Sequence, residues 1–328
     1  MAKRKNRGAN IFLILAVLIL CIVVYVVAVP KLTADDSGSD DVTDVEMIAD
    51  FKASSIEKMS YVYTDGDEEI ALKFRYVYST GKWLLDSDSS FPLDQTMMQQ
   101  MASAIVSIPM ERRMSKDEIS LSDAGLDAPR LSVTVQYASG DITYSVGDYN
   151  SFNGAYYLSV SGEDDIFMTT APLISYFFYD LFELAELYTI PMLTSDNVTS
   201  YDVVLGDDVT SYSDKSHIAY LSALSVYSAV DYAPDEDALA KYVLDGSMPI
   251  LNIKYTETQV VQNSDSSLSS SASITKEKEL VIRIGGLCDG DDDKRYVMID
   301  DSAMVYTMSA STLNSLIDPT VGQANETT

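Results

Sequence analysis

The chain has 328 residues, enough for two ordinary domains that each bury a core. Its 50 acidic residues against 22 basic ones give a net charge of −28, which opposes phosphate backbones and anionic lipid headgroups and argues against nucleic-acid binding. Two cysteines, Cys21 and Cys288, and one histidine supply neither a disulfide framework nor a zinc-type ligand set.

Residues 1–10 form a basic tail with Lys3, Arg4, Lys5 and Arg7 and no acid. Residues 11–29 carry no charge and no amide, and Pro30 ends the run. As a helix, that run is about 28 Å long, close to the hydrocarbon thickness of a bilayer. Basic residues precede it, and Asp35-Asp36 and Asp40-Asp41 follow. The positive flank stays inside, so the expectation is a single-pass plasma-membrane protein with a cytoplasmic N-terminus and an extracytoplasmic body. The run is too long, and too β-branched at its end, for a cleaved signal peptide. Cys21 lies between Leu18-Ile19-Leu20 and Ile22-Val23-Val24, which does not fit a lipoprotein. Residues 30–45 read as an acidic stalk.

A first module is expected over residues 46–192. A strand at 56–64 turns at Asp65-Gly66-Asp67 into a second, where Ile70, Leu72, Phe74, Tyr76 and Tyr78 alternate with polar residues. Tyr61-Val62-Tyr63 could be core or display surface. Ser79-Thr80-Gly81 leads to a short strand with Trp83, the only tryptophan and a candidate core anchor. Pro92 opens a helix in which Leu93, Met97, Met101, Ala104 or Ile105, and Ile108 recur at helical spacing, and Pro109 stops it. Met97, Met98 and Met101 could suggest a soft-metal site; an adaptable core face is the simpler reading. The spacing of Ser115 and Glu118 predicts a capping box and a short helix ended by Gly125. Leu131, Val133, Val135 and Tyr137 alternate along a strand, and Ser139-Gly140-Asp141 turns it onto Ile142, Tyr144 and Val146. Strands at 156–160 and 166–168 follow. A helix capped by Thr170, with Pro172 in its first turn, carries Leu173, Tyr176, Phe177, Leu181, Leu184 and Leu187.

A second module is expected over residues 197–318. It holds a strand pair around Gly206-Asp207-Asp208, a helix from His217 with Leu221, Leu224 and Val226, and a helix over 235–244. From there the order of the first module recurs. Gly125-Leu126-Asp127-Ala128-Pro129 finds an echo in Gly246-Ser247-Met248-Pro249. Pro129 to Pro249 and Leu131 to Leu251 are each 120 positions, and Gly147 to Gly285 is 138. The extra 18 match one insertion, the Ser-rich tract 263–273. Beyond it, Tyr157 to Tyr296 is 139 and Leu173 to Leu313 is 140, as internal duplication requires. The tail 319–328 reads as loose. The fold class expected is α+β: an N-terminal transmembrane helix and two related modules, each an antiparallel sheet with helices on one side.

No catalytic constellation stands out. His217 has no nucleophile turn beside it, and no Gly-x-Ser-x-Gly elbow occurs. Asp289, Asp291, Asp293 and Asp300 have part of the spacing of a calcium loop. Lys294 stands where such a loop needs glycine, and Asp300 where it needs glutamate, so a solvated acidic turn is the competing reading. Gly285-Gly286 signifies a turn or bulge rather than a phosphate cradle. Asn197-Val198-Thr199 and Asn325-Glu326-Thr327 are glycosylation sequons, relevant only in a eukaryotic secretory pathway.

The order of motifs resembles the bacterial domain-of-unknown-function family 4340. The residues that carry the resemblance are Gly81-Lys82-Trp83-Leu84-Leu85, the helix from Leu93 to Ile108, Gly125-Leu126-Asp127-Ala128-Pro129, the strand from Leu131 to Tyr137, Gly140-Asp141, Val146-Gly147, Tyr156-Tyr157 and Ile166-Phe167. The resemblance spans residues 48–187 and implies a single N-terminal anchor. Members are often encoded beside transporters of the ATP-binding-cassette (ABC) type, which implies an ABC-type partner. The motif consists of turns and strand faces and transfers no catalytic residue. The function expected is a non-enzymatic, membrane-tethered extracytoplasmic binding or scaffolding protein, an accessory of an ABC-type transporter, with no cofactor. The alternative is a calcium-dependent or acid-based cell-surface hydrolase.

Overall fold

The computed structural model describes residues 46–170, 175–262 and 271–318. The expected tail 1–10, membrane helix 11–29, stalk 30–45, start of the helix at Pro172 and Leu173, most of the Ser-rich tract and the C-terminal tail 319–328 lie outside the described residues. Among the described residues, no helix is long and apolar enough to cross a membrane. The chain divides into a unit of residues 1–46 and a unit of residues 47–328; the second carries the elements that follow.

That unit is mostly β, and its strands pair antiparallel. β1 (Met47–Asp50) pairs with β5 (Ser107–Pro109) in a two-stranded ribbon. The first large sheet orders β4 (Lys82–Leu85), β3 (Glu68–Val77), β2 (Ile56–Asp65), β7 (Leu131–Tyr137), β8 (Gly140–Asn150), β9 (Ala155–Val160), β10 (Ile166–Thr170) and β6 (Arg112–Met114). The second orders β12 (Asp208–Tyr212), β11 (Val198–Leu205), β14 (Ile250–Gln262), β15 (Ser271–Cys288), β16 (Asp291–Ile299), β17 (Met304–Ser309) and β13 (Val226–Tyr232). Leaving out β4, the two orders are the same: a hairpin, a four-strand meander, and an edge strand that precedes the meander in sequence. One contiguous core draws on both sheets, with Tyr61, Phe74 and Val133 from the first and Tyr201, Leu251 and Val297 from the second.

The correspondence reaches individual residues. In β8, the pairing with β9 slips between Val146 and Tyr149; in β15, the pairing with β16 slips between Ile284 and Leu287. Gly147-Asp148 and Gly285-Gly286 are the bulged residues, 138 apart. The Asp148 N–H donates to Ala124 O at 2.9 Å, and the Gly286 N–H donates to Tyr242 O at 2.8 Å. A Cβ at Gly147 or Gly285 would overlap those same carbonyl oxygens, so glycine is required at both. The Leu126 N–H donates to Leu121 O, and the Leu244 N–H to Leu239 O.

These contacts correct the alignment read from the prolines. Leu126 corresponds to Leu244 and Gly125 to Val243, a spacing of 118 rather than 120. The ladders agree: Val133 pairs with Tyr144 and Leu251 with Ile282, which sets Leu251 in the place of Val133. Gly246 is therefore not the counterpart of Gly125. A shift of two keeps every side chain on its expected face, which is why the alternation fits both alignments. The insertion lengthens the β14–β15 hairpin, and Ser271–Ser273, expected in a loop, belong to β15.

The helices are fewer and shorter than expected, which changes the class from α+β to mostly β. α1 (Gln95–Val106) forms as expected but ends before Ile108, which lies in β5. No helix follows Ser115. The Ser115 N–H donates to Glu118 Oε1 as half of a capping box, yet the chain goes on into successive turns. Ser120 and Asp123 bond to each other there, which favours a turn over helix propagation. Past Ser175 the chain makes isolated turns, with Phe177 and Leu184 buried as the periodicity required. Asp180 caps a turn at Phe182 and Glu183, and Ala185 then bridges to Leu93. The expected helix from His217 is α2 (Lys215–Ile218) followed by a 3-10 turn, and Val226 begins β13 instead. α3 (Glu236–Lys241) is capped by Asp235, and α4 (Ala310–Ile317) by Ser309.

Candidate functional site

α1 starts where the Asp94 carboxylate accepts the N–H groups of Thr96 and Met97 at 2.8 and 3.1 Å. Met98, Met101, Ala102 and Ile105 recur at helical spacing and are buried in the main core. Thr96, Gln99, Gln100 and Ser103 occupy the opposite, exposed side. Gln95 fixes the helix to the sheet: its Oε1 accepts from the Trp83 N–H at 2.8 Å, and its Nε2 donates to Trp83 O at 3.0 Å. The amide thus pairs with the outer edge of β4 as a further strand would and blocks that edge.

The exposed side of α1 forms one wall of a cavity of about 750 Å³. Its described lining is Gln95, Thr96, Gln99, Gln100, Ser103, Ala104, Ser107, Pro109, Thr170 and Tyr176. None of these side chains is charged, in a chain with 50 acids. Eight of the ten carry a hydrogen-bonding side chain, and Tyr176 adds an aromatic ring. Ser107 and Pro109 lie on β5, where they pair with Asp50 and Met47 of β1, so the groove adjoins the entry of the chain into the folded unit. The sequence reading passed over this groove. A signal was present: residues 95–110 carry no charge, yet are too polar to be a core segment throughout.

The acidic residues weighed for calcium are not brought together. Asp289 lies at the β15–β16 turn, and its N–H donates to the Tyr296 hydroxyl. Asp291 accepts from Lys294 at 3.0 Å and from the Asp293 N–H at 3.1 Å, and the Lys294 bond heads the causes that hold its carboxyl below the usual range. Asp300 is at the far end of β16, about 30 Å away at the strand rise. There it accepts from Val281 N–H and from the Tyr188 hydroxyl. Among the described residues, no group of three or more His, Cys, Asp or Glu could hold a metal ion.

The other singled-out residues have structural positions. Trp83 is buried against Tyr76, and Met98 and Met101 fill the core. Tyr61 and Tyr63 are core, whereas Val62 is exposed. His217 packs edge-on against Tyr212, with ring centroids 5.5 Å apart. The Asn197 side chain is engaged by Thr194 N–H and donates to Met192 O. Gly285-Gly286 is a bulge, one of the two readings of that pair.

Fold and groove together define a protein of two topologically matched antiparallel sheets with an uncharged cleft on the first. The family model described as "Domain of unknown function (DUF4340)" matches residues 83–177, so that segment of the chain is similar to that family. The match is narrower than the resemblance read over 48–187, and it contains all ten residues of the groove lining. No curated protein and no solved structure matches the chain.

Proposed function

We propose that the chain is a membrane-tethered, extracytoplasmic binding or scaffolding protein, an accessory of an ABC-type transporter, and that the groove beside α1 is its binding site. The observation that carries this reading is the uncharged groove inside the family-matched segment. A concave site of this size, with hydrogen-bonding side chains and no charged one in its described lining, suits ligand binding without chemistry. The apolar run 11–29 supplies the tether, and a stalk of residues 30–45 reaches no further than about 55 Å. Transporter association rests on the family resemblance. Asp300 lies far from the turn that holds Asp289, Asp291 and Asp293, so the four do not form the calcium loop that the calcium-dependent alternative needs. The shared strand order and the matched bulges also lead us to infer that the two sheets descend from one duplicated module.

The test is crosslinking of the full chain in native membranes, with the adducts identified. The expected adduct contains a subunit of an ABC-type transporter; adducts that lack every such subunit overturn the accessory role. Protease added to spheroplasts is expected to digest the acidic body. A protected body overturns the extracytoplasmic placement.

A further inference from the structure

We propose that the groove beside α1 takes an uncharged, hydroxyl-rich ligand, a neutral oligosaccharide. This rests on the reading of the groove as the binding site and adds the class of ligand. A sugar hydroxyl both donates and accepts a hydrogen bond. The polar lining that faces a ligand consists of Gln99, Gln100, Thr96 and Tyr176, each of which can both donate and accept, and of Ser103, whose hydroxyl donates to Gln99 O and accepts from outside; the Gln95 amide is already held by Trp83 and Leu93. Carboxylates only accept and ammonium or guanidinium groups only donate; neither kind is in the described lining. An anion would find no basic group in the described lining, in a chain of net charge −28. A cation would find no carboxylate there. An extended peptide adds to a free strand edge, but this wall is a helix, and the nearby edge of β4 is already occupied by the Gln95 amide at Trp83. The half-buried Tyr176 ring in the lining supplies apolar surface of the kind on which the C–H side of a sugar ring packs.

The test uses the full chain in detergent with three probes: uncharged hexose and N-acetylhexosamine oligosaccharides, a sulfated oligosaccharide, and an uncharged Gly-Ser peptide. Calorimetry is expected to detect the neutral oligosaccharides, with an affinity that does not change between low and high salt because no charges meet. Gln99→Glu with Gln100→Glu is expected to weaken binding at least about tenfold, a change of about 1.4 kcal/mol. Ser103→Arg, an exposed position whose variant should fold, is expected to abolish binding by filling the groove. Failure of every probe to bind overturns the proposal. Preference for the sulfated probe or the peptide, lost in Ser103→Arg, overturns the ligand class but leaves the groove as a binding site. Oligosaccharide binding that survives Ser103→Arg overturns the groove itself as the site.

Discussion

The two sheets carry the same bulge over the same kind of corner, yet they build the corner with different residues. In the first, Gly125 adopts φ +66°; in the second, Val243 adopts φ +56°. A branched side chain in the left-handed region is strained by about 1–3 kcal/mol. The difference lies in what faces each position. Asp148 lies against Gly125, where a Cβ would fall 2.6 Å from the Asp148 Cγ. At the second corner the bulge residue is Gly286, and Val243 packs its side chain into the space that glycine leaves. The two residue pairs have traded places: glycine below a side chain in one sheet, a side chain below glycine in the other. What both sheets keep is the glycine one position earlier, Gly147 or Gly285, where backbone meets backbone and nothing can give way.

The largest expected effect is therefore at that shared position. Gly147→Ala and Gly285→Ala each force a methyl into a carbonyl oxygen, and each should cost about 3 kcal/mol or more, seen as a lower denaturant midpoint at unchanged slope. Equivalence of the two bulges fails if either variant is tolerated within about 0.5 kcal/mol.

Exchange of the traded residues comes next. Gly125→Val adds left-handed strain and displaces the Asp148 side chain, so a loss of about 1–3 kcal/mol is expected. Val243→Gly relieves strain but removes packing, so its change should stay within about 1 kcal/mol. Similar losses in both would mean that Val243 is held by packing alone.

Much of this was legible in the chain and part was not. Alternation marks the strand Leu131–Tyr137 and helical spacing the buried face of α1, because burial on one side writes its period into the sequence; β10, buried on both faces, shows no such period. The alignment at Pro249 was off by two because a period-two pattern is blind to an even shift, and only the bulge contacts broke the tie. The helix expected after Ser115 was lost to local Ser120–Asp123 bonding, and β13 was hidden because just one of its seven residues is buried. The groove escaped because its signature is the lack of charge over 95–110, which periodicity does not register.

Alkaline titration compares the sheets through their tyrosines. Burial, then the Asp180 and Glu183 charges, push Tyr63 up to about 12; burial, then the hydrogen bond to Asp231, push Tyr242 up to about 12. Unfolded tyrosine ionises near 10, so between pH 10 and 12 the unfolded state loses protons that the folded state keeps. The stability these groups supply is whole below pH 10 and falls as pH rises through 12. Unfolding followed by phenolate absorbance should show both sheets failing in one transition, as a shared core requires; two separated steps would split the core.

The smallest effect is expected where the sheets differ most in length. β7 and β8 turn tightly between Tyr137 and Gly140, whereas β14 and β15 run on as a ribbon from Glu257 and Lys276 outward, their strands paired only with each other. Two strands alone are marginal in water: cross-strand pairs such as Thr258–Thr275 supply a few tenths of a kcal/mol each, against the entropy of ordering the chain. Replacing residues 259–274 by Asn-Gly joins Thr258 to Thr275 with their pairing kept and gives the second sheet a short hairpin like that of the first. The variant's stability should stay within about 1 kcal/mol of the parent's. A loss well beyond that would show the ribbon to be part of the cooperative unit, and the two sheets would then match in strand order without matching in what holds them together.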